Sequence, residues 1–172
     1  MIQLLILGPS GIGKTHWGPV IASDLNLQFL DLDLALNQKH TCTDLAGALT
    51  FWGLPLFYQR SISILSTLTQ DPKTWVVAVG AGTQMAVQPY PELLLAPSLC
   101  LWAPPEWLWK KNKQTRQDPR SLEQFAEIEY HPRRKQLYQR CRYFIDLSKT
   151  TSKITLTEIL KQIKESPTGL SS

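Results

Sequence analysis

The chain has 172 residues, 43% of them apolar, and carries a formal net charge of +4. That is enough for one domain with its own core, and it excludes both a disordered chain and a collagen-like one. No apolar run approaches the roughly 18 residues that cross a bilayer, and neither zinc-finger spacing nor an RNP-type aromatic pattern is present, so neither membrane nor nucleic acid is an expected partner.

The first element, "IQLLILG" (2–8), reads as a buried strand ending in glycine. It lacks the basic flank and small-residue cleavage site of a signal peptide. "GPSGIGKT" (8–15) follows, and "KTHWGPVIASDLN" (14–26) has helical character, with Pro19 in its early turns. "QFLDLD" (28–33) is read as the second strand. "TDLAGALTFW" and "GLPLFYQRSISILSTLTQ" (53–70) read as helices, with Phe57, Ile62 and Leu65 on one apolar face. "TWVVAVGAG" (74–82) is a β-branched strand running into a glycine turn, and "SLCLWAP" (98–104) is a further strand. "EWLWKKNKQ" is a helix broken by "RQDPR", and "SLEQFAEIEYHPRRKQLYQRC" is a helix interrupted near Pro132. "RYFIDL" is the last strand and "TLTEILKQIKE" (155–165) a closing amphipathic helix. The tail, 166–172, is expected to fray. Strands alternating with helices at this spacing imply an α/β protein: a five-stranded parallel sheet covered on both faces. Cys42, Cys100 and Cys141 are widely spaced and form no C-x-x-C pair, which fits reduced thiols in a cytosol or an organelle of similar redox poise.

Gly8–Thr15 matches G-x-x-x-x-G-K-[ST] between a strand and a helix, the context of a phosphate loop. Gly8, Gly11 and Gly13 let the backbone around Pro9, Ser10 and Ile12 curl so that N–H groups converge on an anion. The helix N-terminus adds partial positive charge. Lys14 is placed to reach terminal phosphates and the Thr15 hydroxyl to bind Mg²⁺. No aspartate ends a later apolar strand, so the acidic candidates are Asp31 and Asp33 in "FLDLDLAL". Period two would put both on one face of the second strand, looking into the crevice beyond the strand ends. The alternative is a pair of solvated turn residues. The positive charge gathers in "WKKNKQTRQDPR" (109–120) and "HPRRKQLYQRCR" (131–142), either as solvated helix faces or as an anion site. Trp102, Trp107 and Trp109 read first as packing and second as an adenine-stacking surface. His16 reads as an exposed helix residue.

Taken together, "GPSGIGKTHWG", "FLDLDLAL", "VVAVGAG", "LCLWAPPEWLWKK" and "RRKQLYQRCRYFIDL" resemble, in order, the segments of shikimate kinase over residues 2–164. The resemblance implies a P-loop, three-layer α/β/α kinase fold in one domain (1–172), with a small lid near 111–121 and a substrate-binding helical region near 33–62. It implies ATP-dependent phosphorylation of the 3-hydroxyl of shikimate, a step toward aromatic amino acids, with Mg²⁺, in a monomer. Carried over, Asp31 would hold the metal through water, and Asp33 would bind the acceptor hydroxyl. Gly80, Ala81 and Gly82 would line the acceptor site. Arg134 would bind its carboxylate, and Arg116 would be the lid arginine. The basic residue on the adenine side would be Lys110 or Lys111.

The chain departs from the family pattern at three places. Tyr58 stands where the family has a second carboxylate-binding arginine, and Arg60, two residues on, points about 200° round a helix. Ala81 replaces the middle glycine of a triple, and the lid segment "RQDPRSL" is shorter and more polar. The sequence therefore leaves two alternatives beside shikimate phosphorylation: a nucleotide-binding regulator, or a kinase for another small acid or polyol.

Overall fold

"IQLLIL" is apolar on both faces, so it can only be a strand covered from both sides. In a computed structural model, which describes residues 1–40, 45–84, 96–149 and 152–165, it is β1 (Ile2–Leu7), the central strand of the sheet. The others are β2 (Gln28–Asp31), β3 (Trp75–Ala78), β4 (Ser98–Trp102) and β5 (Tyr143–Asp146), in the order β2-β3-β1-β4-β5. Every pairing is parallel. Leu4 and Ile6 face one apolar cluster with Val76, Leu99 and Leu101. Ile2, Leu5 and Leu7 face the other with Val77 and Val79. Strict alternation would place Ile2 with Leu4; a register irregularity between them turns it to the opposite face.

The helices among the described residues are α1 (Lys14–Asp24), α2 (Leu32–His40), α3 (Leu45–Gln70), α4 (Pro105–Arg116), α5 (Leu122–Glu129), α6 (Pro132–Gln139) and α7 (Ser152–Glu165). Phe57 and Leu65 of α3 are fully buried and Ile62 packs beside them, as their spacing predicted. The two helices expected around residue 53 are two segments of α3 that meet at Gly53, whose φ of 69° and ψ of 164° break the helix. α5 and α6 part at His131, whose Nδ1 accepts from the Arg133 N–H and caps α6 ahead of Pro132. Ser121 and Gln124 form a reciprocal capping box at the start of α5.

One expectation is overturned. β2 stops at Asp31, and Asp33 lies in the first turn of α2, not on the strand. The cause is Asp31 itself: its Oδ1 accepts from the N–H groups of Asp33 and Leu34 at 3.1 and 3.3 Å, the pattern of a helix N-cap. Residues 111–116 of the expected lid are the last turns of α4, which ends on left-handed Gln117. Cys100 and Cys141 are free thiols; Cys42 and the tail lie outside the described residues. No described helix is long and apolar enough to cross a membrane.

Candidate active site

In this strand order the chain leaves β1 and β3 in opposite directions, so a crevice opens beyond their C-terminal ends. β1 delivers the glycine-rich loop to it, β2 and the start of α2 deliver the aspartates, and β3 delivers Gly80 and Ala81. The result is a cleft of about 390 Å³. The loop residues Ser10, Gly11, Gly13, Lys14 and Thr15 line it with Asp31, Asp33, Gly80, Ala81, His16 and Arg116, whereas Ile12 is buried in the core.

Gly8, Gly11 and Gly13 all have positive φ, at 142°, 77° and 113°. At two of them space also demands glycine. A Cβ on Gly8 would collide with the Leu101 carbonyl, and one on Gly11 with the Asn112 side chain. The loop's shape is set by residues distant in sequence. Gln84 Nε2 donates to the carbonyls of Gly8 and Val79, both at 2.9 Å. Asn112 Nδ2 donates to the Ser10 carbonyl at 3.1 Å, and Lys111 Nζ to that of Ile12 at 3.4 Å. Glu129 Oε2 accepts from the Ser10 N–H at 3.0 Å.

Lys14 folds over this loop, donating to the carbonyls of Gly8 at 2.8 Å and Pro9 at 3.0 Å. Burial lowers its pKa to about 8, against the pull of Asp33, Glu129 and Asp31; Arg116 adds to the lowering. Thr15 Oγ1 donates to Asp31 Oδ2 at 2.5 Å. Asp33 is pressed against Gly80 so closely that a Cβ there would overlap its carboxylate. Burial, then the neighbouring Asp31, raises the Asp33 pKa to about 6, while Lys14 and the Thr83 hydroxyl hold it back. Its Oδ1 is buried without a hydrogen-bond partner.

These residues suit a magnesium–phosphate ligand. Mg²⁺ takes one or two protein oxygens and completes its shell with water and phosphate, and the Thr15 hydroxyl and the Asp31 carboxylate beside it would supply that donor set. No cluster of three or more His, Cys, Asp or Glu side chains that could hold a metal occurs among the described residues.

Not every expected residue reaches the cleft. Gly82 does not line it, and a Cβ there would meet open space. Tyr58 and Arg134 line a separate depression of about 510 Å³ with Glu127, Ile128, His131 and Arg133. Arg60 stacks on Trp52 at 4.1 Å. Trp102 and Trp109 pack against the core, whereas Trp107 is partly exposed with Lys111 over its ring at 5.5 Å. Gln84, Thr83, Asn112 and Glu129 were not singled out from sequence. No local motif marks them, because each acts on a partner brought close only by folding.

The family model described as shikimate kinase matches residues 10–164. The chain is 29% identical to the shikimate kinase of Enterococcus faecalis over 173 residues, spanning 96% of this chain and all of that one. The crystal structure of shikimate kinase from Bacteroides thetaiotaomicron superposes with a TM-score of 0.74 at 17% identity, covering 95% and 97% of the two chains. That of Acinetobacter baumannii shikimate kinase, in complex with shikimate, superposes with a TM-score of 0.67 at 25% identity, covering 95% and 92%. With the loop, the aspartate pair and the 2-3-1-4-5 sheet already in place, the sequence match leaves one assignment: the chain belongs to the shikimate kinase family.

Proposed function

We propose that this protein transfers the terminal phosphoryl group of ATP to the 3-hydroxyl of shikimate, working with Mg²⁺ as a monomer in the cytosol. The observation that carries the reading is the placement of the Asp33 carboxylate. It lines the cleft, is buried against Gly80 within electrostatic reach of Lys14, and has one oxygen without a hydrogen-bond partner. A carboxylate so placed accepts a hydrogen bond from the acceptor hydroxyl and orients it for in-line attack. Lys14 exchanges its loop carbonyls for phosphate oxygens and neutralises charge as the phosphoryl group moves. Thr15, and Asp31 through water, would hold Mg²⁺, which would supply charge screening for the phosphates. Arg116, at the end of α4, covers the phosphates from the lid side. Gly80 and Ala81 present backbone to the acceptor. Free Cys100 and Cys141 suit a reducing compartment.

A coupled ADP-release assay with and without shikimate tests this. Shikimate-dependent turnover is expected, falling by about 10² or more in Lys14→Met and Asp33→Asn. ATP binding with no stimulation by millimolar shikimate would sink the reading. Tyr58 and the pairing of Arg134 with Glu129 favour a second reading, a different small acid or polyol as acceptor. The same assay over a panel of such compounds separates the two.

A further inference from the structure

Arg134 is the residue to which the resemblance assigns the acceptor's carboxylate, yet its charge is already engaged. Nη1 donates to Glu129 Oε2 at 2.7 Å, and both side chains are largely buried, at 14% and 5% exposure. The same Oε2 accepts from the Ser10 N–H, while Oε1 accepts from Arg120 Nη1 at 3.0 Å. Arg120 has a second carboxylate: Asp118 takes its Nε and Nη2 in a fork at 2.9 and 2.6 Å. For Arg134, Glu129 is the one carboxylate that forms an ion pair with it among the described residues. The depression beside it adds another negative side chain, Glu127, and a neutral phenol, Tyr58, along with His131 and Arg133.

From this arrangement we infer that Glu129 is a specificity-determining residue that withholds the Arg134 charge from the acceptor acid and thereby keeps anion binding weak. The inference rests on the proposed function through the position of Arg134. An ion pair at this distance presents a dipole, not a net charge, to a third group. An incoming carboxylate must share Arg134 with Glu129 or displace it, and displacement strands a buried carboxylate. Glu129→Gln removes the competing charge and keeps an oxygen for the Ser10 N–H. Arg120 still has Asp118, so Arg134 alone is left unpaired, a buried cation that an anion from solution satisfies.

The test is calorimetric binding of shikimate, and of benzoate as a ring carboxylate without hydroxyls, to the nucleotide-free full chain. Glu129→Gln is expected to bind both acids about tenfold more tightly, the worth of one regained charge-assisted contact. A role confined to bracing the fold gives the opposite, a lower Tm with unchanged or weaker acid binding, and overturns the inference. Arg134→Gln supplies an arm that does not depend on that variant folding. With its charge already withheld, its loss weakens acid binding by less than about tenfold; a loss of about 10² or more overturns the inference. A wild-type protein that neither binds nor phosphorylates shikimate sinks the proposed function, and the benzoate arm then still decides the role of Glu129.

Discussion

At the scale of single residues, Asp33 is held ionised against its surroundings. Its pKa of about 6 lies above the ordinary 3.8, chiefly because it is buried. Between those values the folded protein keeps a proton that the unfolded chain has released, so stability declines as pH rises through this window. Above pH 6 the ionised group is a burden, on the order of 1–3 kcal/mol for a shift of about two units. Asp33→Asn should therefore raise Tm at pH 8, and the gain should shrink toward pH 4. The wild-type rate should fall as pH drops below about 6, where the carboxylate takes up a proton and ceases to accept from the acceptor hydroxyl. Thermal melts at pH 5 and 8, with a pH–rate profile, check both halves. A variant less stable than wild type at pH 8 would show that the ionised carboxylate does not burden the fold. Spacing marks the aspartate pair, because two carboxylates in an apolar run need a partner, but leaves solvated turn residues as an alternative; the resemblance gives Asp33 its role. Spacing could not tell whether the second lies on a strand or a helix, since both geometries can turn residues i and i+2 toward one cleft when a cap intervenes.

Elements were legible where apolar period and turn chemistry agreed. All five strands and the break near Pro132 follow from runs that end in glycine, proline or a polar cap. The end of β2 was not legible, because the Asp31 side chain stops the strand by capping α2, and an aspartate in "FLDLDL" reads equally well as a strand residue. Gly53 is the opposite case. Its φ of 69° with ψ of 164° is a conformation that L-residues avoid, while the nearest atom to a Cβ there is 3.9 Å away, so strain and not crowding demands glycine. Gly53→Ala should destabilise the protein by about 1–3 kcal/mol, lowering Tm by roughly 3–10 °C for a chain of this size. An unchanged melting temperature would mean that the two segments of α3 can fuse into one straight helix without loss.

Over the whole molecule, the phosphate loop is recognisable from eight residues but is shaped by others 76 to 119 positions away: Gln84, Lys111, Asn112 and Glu129. The resemblance names Lys111, but for a different role; Gln84, Asn112 and Glu129 could not be read in the sequence, because a single amide or carboxylate carries no signature of a partner that only the folded sheet brings close. Gln84 has a particular part. It joins the Gly8 carbonyl, just past the end of β1, to the Val79 carbonyl, just past β3, and so ties together the two strands that flank the cleft. Without nucleotide, the Gly8 carbonyl accepts from both Lys14 and Gln84, whereas the Pro9 carbonyl accepts from Lys14. If Lys14 leaves for phosphate oxygens, as the proposed function requires, Gln84 becomes the donor that still satisfies Gly8. Gln84→Leu keeps roughly the size of the side chain but removes that donor. In the free protein Lys14 covers part of the loss. With nucleotide bound, the buried Gly8 carbonyl is left bare, which costs about 1–3 kcal/mol. The affinity for ATP should then fall by roughly 5- to 150-fold, more than the Tm of the free protein alone would suggest. Lys14→Met/Gln84→Leu should show less than the sum of the two single losses, because both substitutions act through the same carbonyl. Titration of the four proteins with a non-hydrolysable ATP analogue measures this directly, and strictly additive losses would show that Lys14 and Gln84 do not share the loop.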